Sequence, residues 1–148
     1  MGLGVDQIEI TGEVGLSYFL SLAGFLSSEK TLYFGAGDRS GVIATVRSHQ
    51  GQNKEIALLP DGRLDFGTAA IKENSILAFQ LANGESGAIN SLPDQLPNDL
   101  LIAIDATASG SRVPLPARWD SAAFDSRAWG GPAGLAIVAI ANSAQWKN

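Results

Sequence analysis

The sequence lacks cysteine altogether and contains a single histidine. The missing cysteines exclude disulfides, iron–sulfur clusters and thiol catalysis, and they leave no zinc site of the Cys/His type. Positive charge is also scarce, since ten Lys and Arg face fifteen Asp and Glu and give a net charge of −5. That sign is wrong for binding nucleic-acid phosphates. We therefore expect no nucleic-acid partner, no metal and no cofactor.

Long hydrophobic runs are missing too. The apolar run over residues 18–26 is interrupted by Ser and Gly and is too short to span a bilayer. The first residues lack the positive charges that begin a signal peptide, so we expect a chain made in the cytoplasm with no membrane segment. What remains is a chain of 148 residues, 45% of them hydrophobic, which suffices for one packed domain.

Alternation of large and small side chains predicts β-strands along much of the chain. Residues 14–23 alternate in this way, and Gly12, Gly15 and Gly24, in or beside this stretch, argue against a helix there. Continuous apolar runs at 100–104 and 135–140 predict central strands covered on both faces. The triplet Pro60-Asp61-Gly62 predicts a tight hairpin. Further strands are predicted at residues 5–11, forming a first hairpin with 14–23, and at 31–34, 42–47 and 75–82.

The predicted fold is all-β. About nine or ten short strands with long loops indicate an antiparallel β-sandwich, jelly-roll-like, with a barrel as the second choice. Residues 1–12 are predicted to form an N-terminal arm and first strand, and residues 13–148 a single β-sandwich domain. The irregular stretch 106–132 is predicted to be a decorated loop, with a short helix over 120–127 capped by Asp120.

No motif for catalysis stands out. The glycine-rich segment 35–41 follows a predicted strand, but we expect a β-turn there, because a phosphate-binding loop needs a helix after it and residues 42–47 predict a strand. His49 lies in a polar stretch and is interpreted as a solvated loop residue. The carboxylates are dispersed in turn-like sequence, which favours turn and capping roles over a glycosidase pair. These pairs are Asp61 with Asp65, Asp94 with Asp99, and Asp120 with Asp125.

The three tryptophans lie in or beside predicted loops, together with Phe124. Such rings can stack on sugars, can be buried at a subunit boundary, or can simply cap the ends of the sandwich. These three interpretations stay open at the level of sequence.

The hairpin at 59–67, the acidic cysteine-free composition, the Ala/Ser/Gly-rich strands and the strand at 134–142 together resemble small all-β virion surface proteins of tailed bacteriophages, of the capsid decoration (cement) or fibre-head type. The resemblance implies a non-enzymatic structural protein on the virion surface, which stabilises the shell as a homotrimer in contact with a major capsid protein. The predicted interface comprises Trp119, Phe124, Trp129, Trp146, Val5, Ile8 and Ile10.

The alternative is a receptor- or carbohydrate-binding head domain of a tail fibre or adhesin. Trp119 and Trp129, with Asp120 and Arg127 beside them, would then bind surface glycans.

Overall fold

The computed structural model describes residue 4 and residues 7–141. They form seven β-strands and two α-helices. The elements are β1 (Ile8–Thr11), α1 (Val14–Ala23), β2 (Thr31–Gly35), α2 (Ser40–Ser48), β3 (Asn53–Ile56), β4 (Ser75–Gln80), β5 (Leu101–Asp105), β6 (Ser121–Asp125) and β7 (Ala136–Ile140), with a 3-10 helix at Ser126–Trp129 between the last two.

The strands make one sheet in the order β1-β7-β6-β5-β4-β2-β3. Strands β3, β2, β4, β5 and β6 are mutually parallel, whereas β7 is antiparallel to both of its neighbours, β6 and β1. The predicted antiparallel all-β sandwich or jelly roll is therefore wrong. The protein has a mixed, mostly parallel α/β sheet.

Both faces of this sheet are covered, as parallel strands require. On one face α1 and α2 contribute Tyr18, Leu22 and Val42, which are fully buried with Ile76 and Ala103 of the sheet. On the other face the long connections after β3, β4 and β5 cover the sheet. Their partly buried side chains include Phe66, Ile71, Leu92, Leu96, Val113, Leu115 and Trp119.

Residues 14–23 form helix α1, not the predicted strand. The residues buried against the sheet are Ser17, Tyr18, Ser21 and Leu22, which share one helical face. The two serines can be buried because each hydroxyl donates to a carbonyl three residues earlier, Ser17 to Val14 at 2.6 Å and Ser21 to Tyr18 at 2.7 Å. The small residues that suggested strand alternation are thus the contact surface of a helix.

Two further local predictions are wrong. Residues 42–47 belong to helix α2, whose Val42, Thr45 and Val46 face the core at helical spacing. Where a short helix is predicted over 120–127, residues 121–125 form strand β6, which lies between β5 and β7 with all five residues buried, and the 3-10 helix begins only at Ser126.

The hairpin prediction around Pro60-Asp61-Gly62 is confirmed. Leu58 and Leu64 form an antiparallel bridge, the Leu59 amide donates to the Arg63 carbonyl at 2.7 Å, and Gly62 has φ +83°. The buried strands expected at 100–104 and 135–140 are β5 and β7.

The first strand is shorter than predicted and pairs elsewhere. Strand β1 lies beside β7, with Ile8 opposite Ala139, instead of forming a hairpin with residues 14–23. The division of the chain at residue 12 stays a prediction. Within the part of the chain that the structure describes, no helix is both long and apolar enough to cross a membrane.

Candidate functional site

A polar cleft of about 350 Å³ opens at the carboxyl ends of β2, β4 and β5. The chain leaves β2 through α2 towards β3 on one side, and leaves β4 towards β5 on the other, so strand order reverses between β2 and β4. In open α/β sheets ligands bind at such a reversal point. Three segments line the cleft: residues 37–40 after β2, 80–85 at the end of β4, and 105–108 at the end of β5.

Asp38 is held in the cleft by backbone amides. Its Oδ2 accepts a hydrogen bond from the Gly35 amide at 2.8 Å, and its Oδ1 a longer one from the Gln80 amide at 3.4 Å. Burial raises the pKa of the Asp38 carboxyl from its ordinary value of 3.8 to about 7, and the negative charge of Asp105 adds to this. The two amides and the charge of Arg39 act in the opposite direction without reversing the shift.

Asp105 ends β5 and is almost completely buried, with 1% of its side chain exposed. Its Oδ1 accepts hydrogen bonds from the Thr107 amide at 3.0 Å and the Thr107 hydroxyl at 2.5 Å. Nε of Arg39 lies 2.7 Å from its Oδ2, an ion pair in which the N–H direction is too oblique for a hydrogen bond. The Arg39 guanidinium also lies 5.9 Å from the centre of the Tyr18 ring, a cation–π distance. Arg39 is therefore engaged by Asp105 and Tyr18.

Amide side chains complete the cleft. Asn83 Nδ2 donates to the Gly37 carbonyl at 2.9 Å, which ties the loop after β4 to the loop after β2. Gln80 lines the cleft with only 6% of its surface exposed, and its Oε1 has no hydrogen-bond partner among the described residues. A buried acceptor without a donor is costly, so Gln80 marks a place where a ligand donor would be stabilised.

The sequence held two signals for this site. The glycine-rich segment 35–41 is one of them: helix α2 follows it in place of the predicted strand, and its residues 37–40 line the cleft. The other is Asp105, a carboxylate that directly follows the apolar run 100–104 and ends β5.

The structure brings three of the predicted interface residues, Ile8, Phe124 and Trp129, to one apolar cavity, which Ile10 and Trp119 do not line. Phe124 is buried on β6, Trp119 packs partly buried on the core, and Ile8, Ile10 and Trp129 are 41%, 66% and 42% exposed. Val5 and Trp146 lie outside the described residues. Their role as an interface stays a prediction.

His49 is not the solvated residue that the sequence suggested. It is buried, and its ring nitrogens lie 2.8 Å from Asn53 Oδ1 and 2.9 Å from the Ser27 carbonyl oxygen. The predicted turn and capping roles are confirmed for three carboxylates: Asp61 and Asp65 accept hydrogen bonds within their own turns, and Asp125 caps the 3-10 helix. The prediction is wrong for Asp99 and Asp120, which accept from the distant amides of Asn74 and Ile102.

No protein-family model matches this sequence, and no curated protein matches it. Solved structures match the fold closely. A NifS-like protein gives a TM-score of 0.81 at 18% identity over 95% of this chain. The cystine C-S lyase C-DES, in complex with cysteine persulfide, gives 0.80 at 16% over 98%, and DndA from Streptomyces lividans gives 0.78 at 15% over 91%.

At these identities the likeness establishes the fold alone. The chain spans 44% of the NifS-like protein, 44% of C-DES and 42% of DndA. Another structure of C-DES contains glycine covalently linked to its pyridoxal phosphate (PLP) cofactor. The sheet described above is therefore that of PLP-dependent enzymes.

These neighbours overturn the functional predictions. They are PLP-dependent enzymes and not virion proteins, so the resemblance to phage decoration proteins is wrong, as are the virion-surface location, the capsid partner and the homotrimer. The prediction of a non-enzymatic structural protein is wrong on the same finding, and the alternative of a receptor- or carbohydrate-binding head is unsupported.

The lysines of the described chain do not fit PLP. PLP enzymes hold the cofactor through a lysine Schiff base, with a charged partner at the ring nitrogen. Lys30 precedes β2 and donates to Asn74 Oδ1 at 2.7 Å, Lys54 lies near the start of β3, and Lys72 precedes β4. All three are at the amino ends of the parallel strands, a strand's length from the cleft. Lys147 lies outside the described residues.

The carboxylates of the cleft do not fit PLP either. Asp105 is the buried carboxylate of the cleft that could pair with a ring nitrogen, but its Oδ2 already faces Arg39 at 2.7 Å. Asp38 and Glu85, the other carboxylates that line the cleft, would repel a phosphate, and the guanidinium of Arg39 is engaged by Asp105. The described residues thus keep the fold of PLP enzymes with a cleft of different chemistry.

Proposed function

We propose that this chain forms the small-molecule site of an enzyme with the PLP-enzyme fold. In this proposal the cleft after β2, β4 and β5 accepts a small polar molecule, and Asp38 exchanges a proton with it. The observation that carries the proposal is the position of Asp38. Asp38 lines a cleft at the point where strand order reverses, and two backbone amides hold it there. The charge of Arg39 is paired with Asp105 and not with Asp38.

The electrostatics of the cleft support an acid–base role. A general acid or base works best when its pKa is near the working pH. Burial raises the pKa of Asp38 to about 7, so both protonation states are populated at neutral pH. The volume of about 350 Å³ suits a small metabolite.

The proposal is tested by NMR on the purified chain. Carbon-detected spectra of the aspartate carboxyls should show a group that titrates with a midpoint near 7 and is missing in Asp38→Asn. The matched control Asp61→Asn removes a carboxyl whose pKa is lowered by Arg63, and should leave that titration in place. An Asp38 midpoint near its ordinary value would contradict the proposal.

Ligand binding is tested on the same samples. Separate pools of amines, amino acids, carboxylic acids, sugars and phosphorylated metabolites are added, and the amide signals of Gly37, Gln80 and Asn83 are followed. At least one pool should shift these signals together and move the Asp38 midpoint. If every pool leaves both unchanged, the cleft is not a small-molecule site.

A further inference from the structure

We infer that the cleft selects a small organic cation, a primary amine or a guanidinium compound, over a phosphate-bearing molecule. The inference rests on the proposed function, because it names the class of molecule that the same cleft would bind. It follows from an imbalance between hydrogen-bond acceptors and donors among the side chains that line the cleft.

Acceptors are in excess there. Asp38, Glu85 and Asp105 contribute carboxylates, and Gln80 contributes an Oε1 that is buried and without a partner among the described residues. Three of the side-chain donors are already engaged. Thr107 donates to Asp105, Asn83 Nδ2 donates to the Gly37 carbonyl, and Arg39 is paired with Asp105. A ligand rich in N–H donors would supply hydrogen bonds to these carboxylates and to Gln80 Oε1.

The charge balance points the same way. The ion pair of Arg39 and Asp105 cancels within the cleft, and Asp38 and Glu85 remain. A cation would gain from both carboxylates, whereas a phosphate would be repelled by them. The first turn of α2 also borders the cleft and favours an anion, so the test compares ligands of both signs.

A metal ion is a poorer occupant than an organic cation. Hard cations need about six oxygen ligands, and transition metals need clustered His, Cys or carboxylate ligands. Across residues 7–141 no group of three such side chains is close enough to hold a metal. The cleft volume of about 350 Å³ also exceeds what a bare ion fills.

Binding of a cation should depend on pH through Asp38. The charged groups that act on Asp38 are Asp105 at the end of β5 and the adjacent Arg39, and Asp38 adds in turn to the rise that burial causes in the pKa of Tyr18 on α1. A bound cation favours the ionised carboxylate, so binding below pH 7 must displace a proton. Affinity should therefore fall by up to about tenfold per pH unit below the Asp38 midpoint and level off above it.

The experiment measures binding of methylguanidinium and butylammonium, with inorganic phosphate, butyrate and PLP as the opposite-sign probes. Binding at pH 8 is followed by calorimetry and by the amide signals of Gly37, Gln80 and Asn83. At least one cation should bind at the cleft, and Asp38→Asn should weaken it by about tenfold or more. The control Asp94→Asn changes the net charge equally at an exposed site and should have little effect.

Two further variants keep the test decisive if Asp38→Asn folds poorly. Glu85→Gln changes an exposed side chain and should weaken cation binding a few-fold, and Gln80→Met should weaken it without changing the net charge. Binding of phosphate or PLP at the cleft in place of the cations would overturn the inference while leaving the proposed function intact. If neither the cations nor the anions bind, the inference is also overturned. The metabolite pools described under the proposed function then test whether the cleft binds any small molecule.

Discussion

Two cavities of similar volume border the segment that follows β5, and they differ in what lines them. The polar cleft, about 350 Å³, is reached by Thr107 and Ala108. The second cavity, about 340 Å³, is apolar, and Gly110 and Ser111 reach it. Its other walls are Ile8, Phe124, Trp129, Ile137 and Ala139, from β1, β6, β7 and the 3-10 helix.

The difference lies in how the polar groups are held. The cleft keeps groups in unfavourable states: Asp38 has a pKa raised by burial, and the buried Gln80 Oε1 lacks a partner among the described residues. Such conflicts with stability are typical of functional sites. The apolar cavity has no such conflict among its described lining residues, and two of its walls, Ile8 and Trp129, are simply exposed side chains at the antiparallel edge. Size alone does not distinguish a site from an uncovered edge.

The largest effect is expected where the segment between the cavities meets the 3-10 helix. At Gly110, which has φ +45°, an added Cβ would lie 2.2 Å from the Ala128 Cβ. Gly110→Val should therefore lower the free energy of unfolding by roughly 3 kcal/mol or more, from backbone strain and overpacking together. Urea denaturation of the variant and of the unmodified chain measures this loss.

Gly87→Val is the matched control for that variant. Gly87 also has a positive φ, +75°, but an added Cβ there has nothing within 4 Å. Its free energy of unfolding should fall only by the strain of the left-handed backbone, about 1–2 kcal/mol. Equal losses at the two positions would mean that the close approach to Ala128 is unimportant.

An intermediate effect is expected at Asp38. Its pKa in the folded chain, about 7, is above its ordinary value of 3.8, so the folded state binds the proton more tightly. The stability that this gives is complete below pH 4 and is lost as the pH rises towards 7. Asp38→Asn, which stays uncharged, should be more stable than the unmodified chain at pH 8 by about 2 kcal/mol, and the difference should shrink at low pH.

Denaturation at pH 4, 6 and 8 checks this, with Asp61→Asn as the control of opposite sign. Arg63 holds the pKa of the Asp61 carboxyl below its ordinary value, so this variant should become relatively less stable as the pH rises. An Asp38→Asn variant that is less stable than the unmodified chain at pH 8 would show that Asp38 contributes to stability and that its charge is not costly.

The elements that could be predicted from the sequence are those determined by a few adjacent residues. The hairpin at Gly62 needs only turn chemistry, and β5 and β7 are short apolar runs that fit buried strands. The sequence was insufficient for the helices. In α1 the buried serines satisfy their own hydroxyls, and in α2 Thr45 does the same by donating to the Gly41 carbonyl at 3.0 Å. These polar residues, buried where the helices pack on the core, were therefore mistaken in the sequence for the polar face of a strand.

The error in α2 hid the site. With a strand expected after residue 41, the parallel order of β2, β4 and β5 could not be inferred, and neither could their common carboxyl edge. Asp38 and Asp105 are far apart in sequence, and they share a cleft only because parallel strands end at the same edge. The spacing of Ser17, Tyr18, Ser21 and Leu22 was the available signal for a helix, and hence for this topology.

The smallest effect is expected at Trp129, an exposed wall of the apolar cavity. Trp129 is 42% exposed, so Trp129→Ala should lower the free energy of unfolding by about 1 kcal/mol. Phe124→Ala, at a buried wall of the same cavity, should cost roughly 3 kcal/mol. Because the segment after β5 separates the two cavities, Trp129→Ala should also leave methylguanidinium binding at the polar cleft unchanged. A loss equal to that of Phe124→Ala, or weaker binding at the cleft, would mean that the two cavities are energetically coupled.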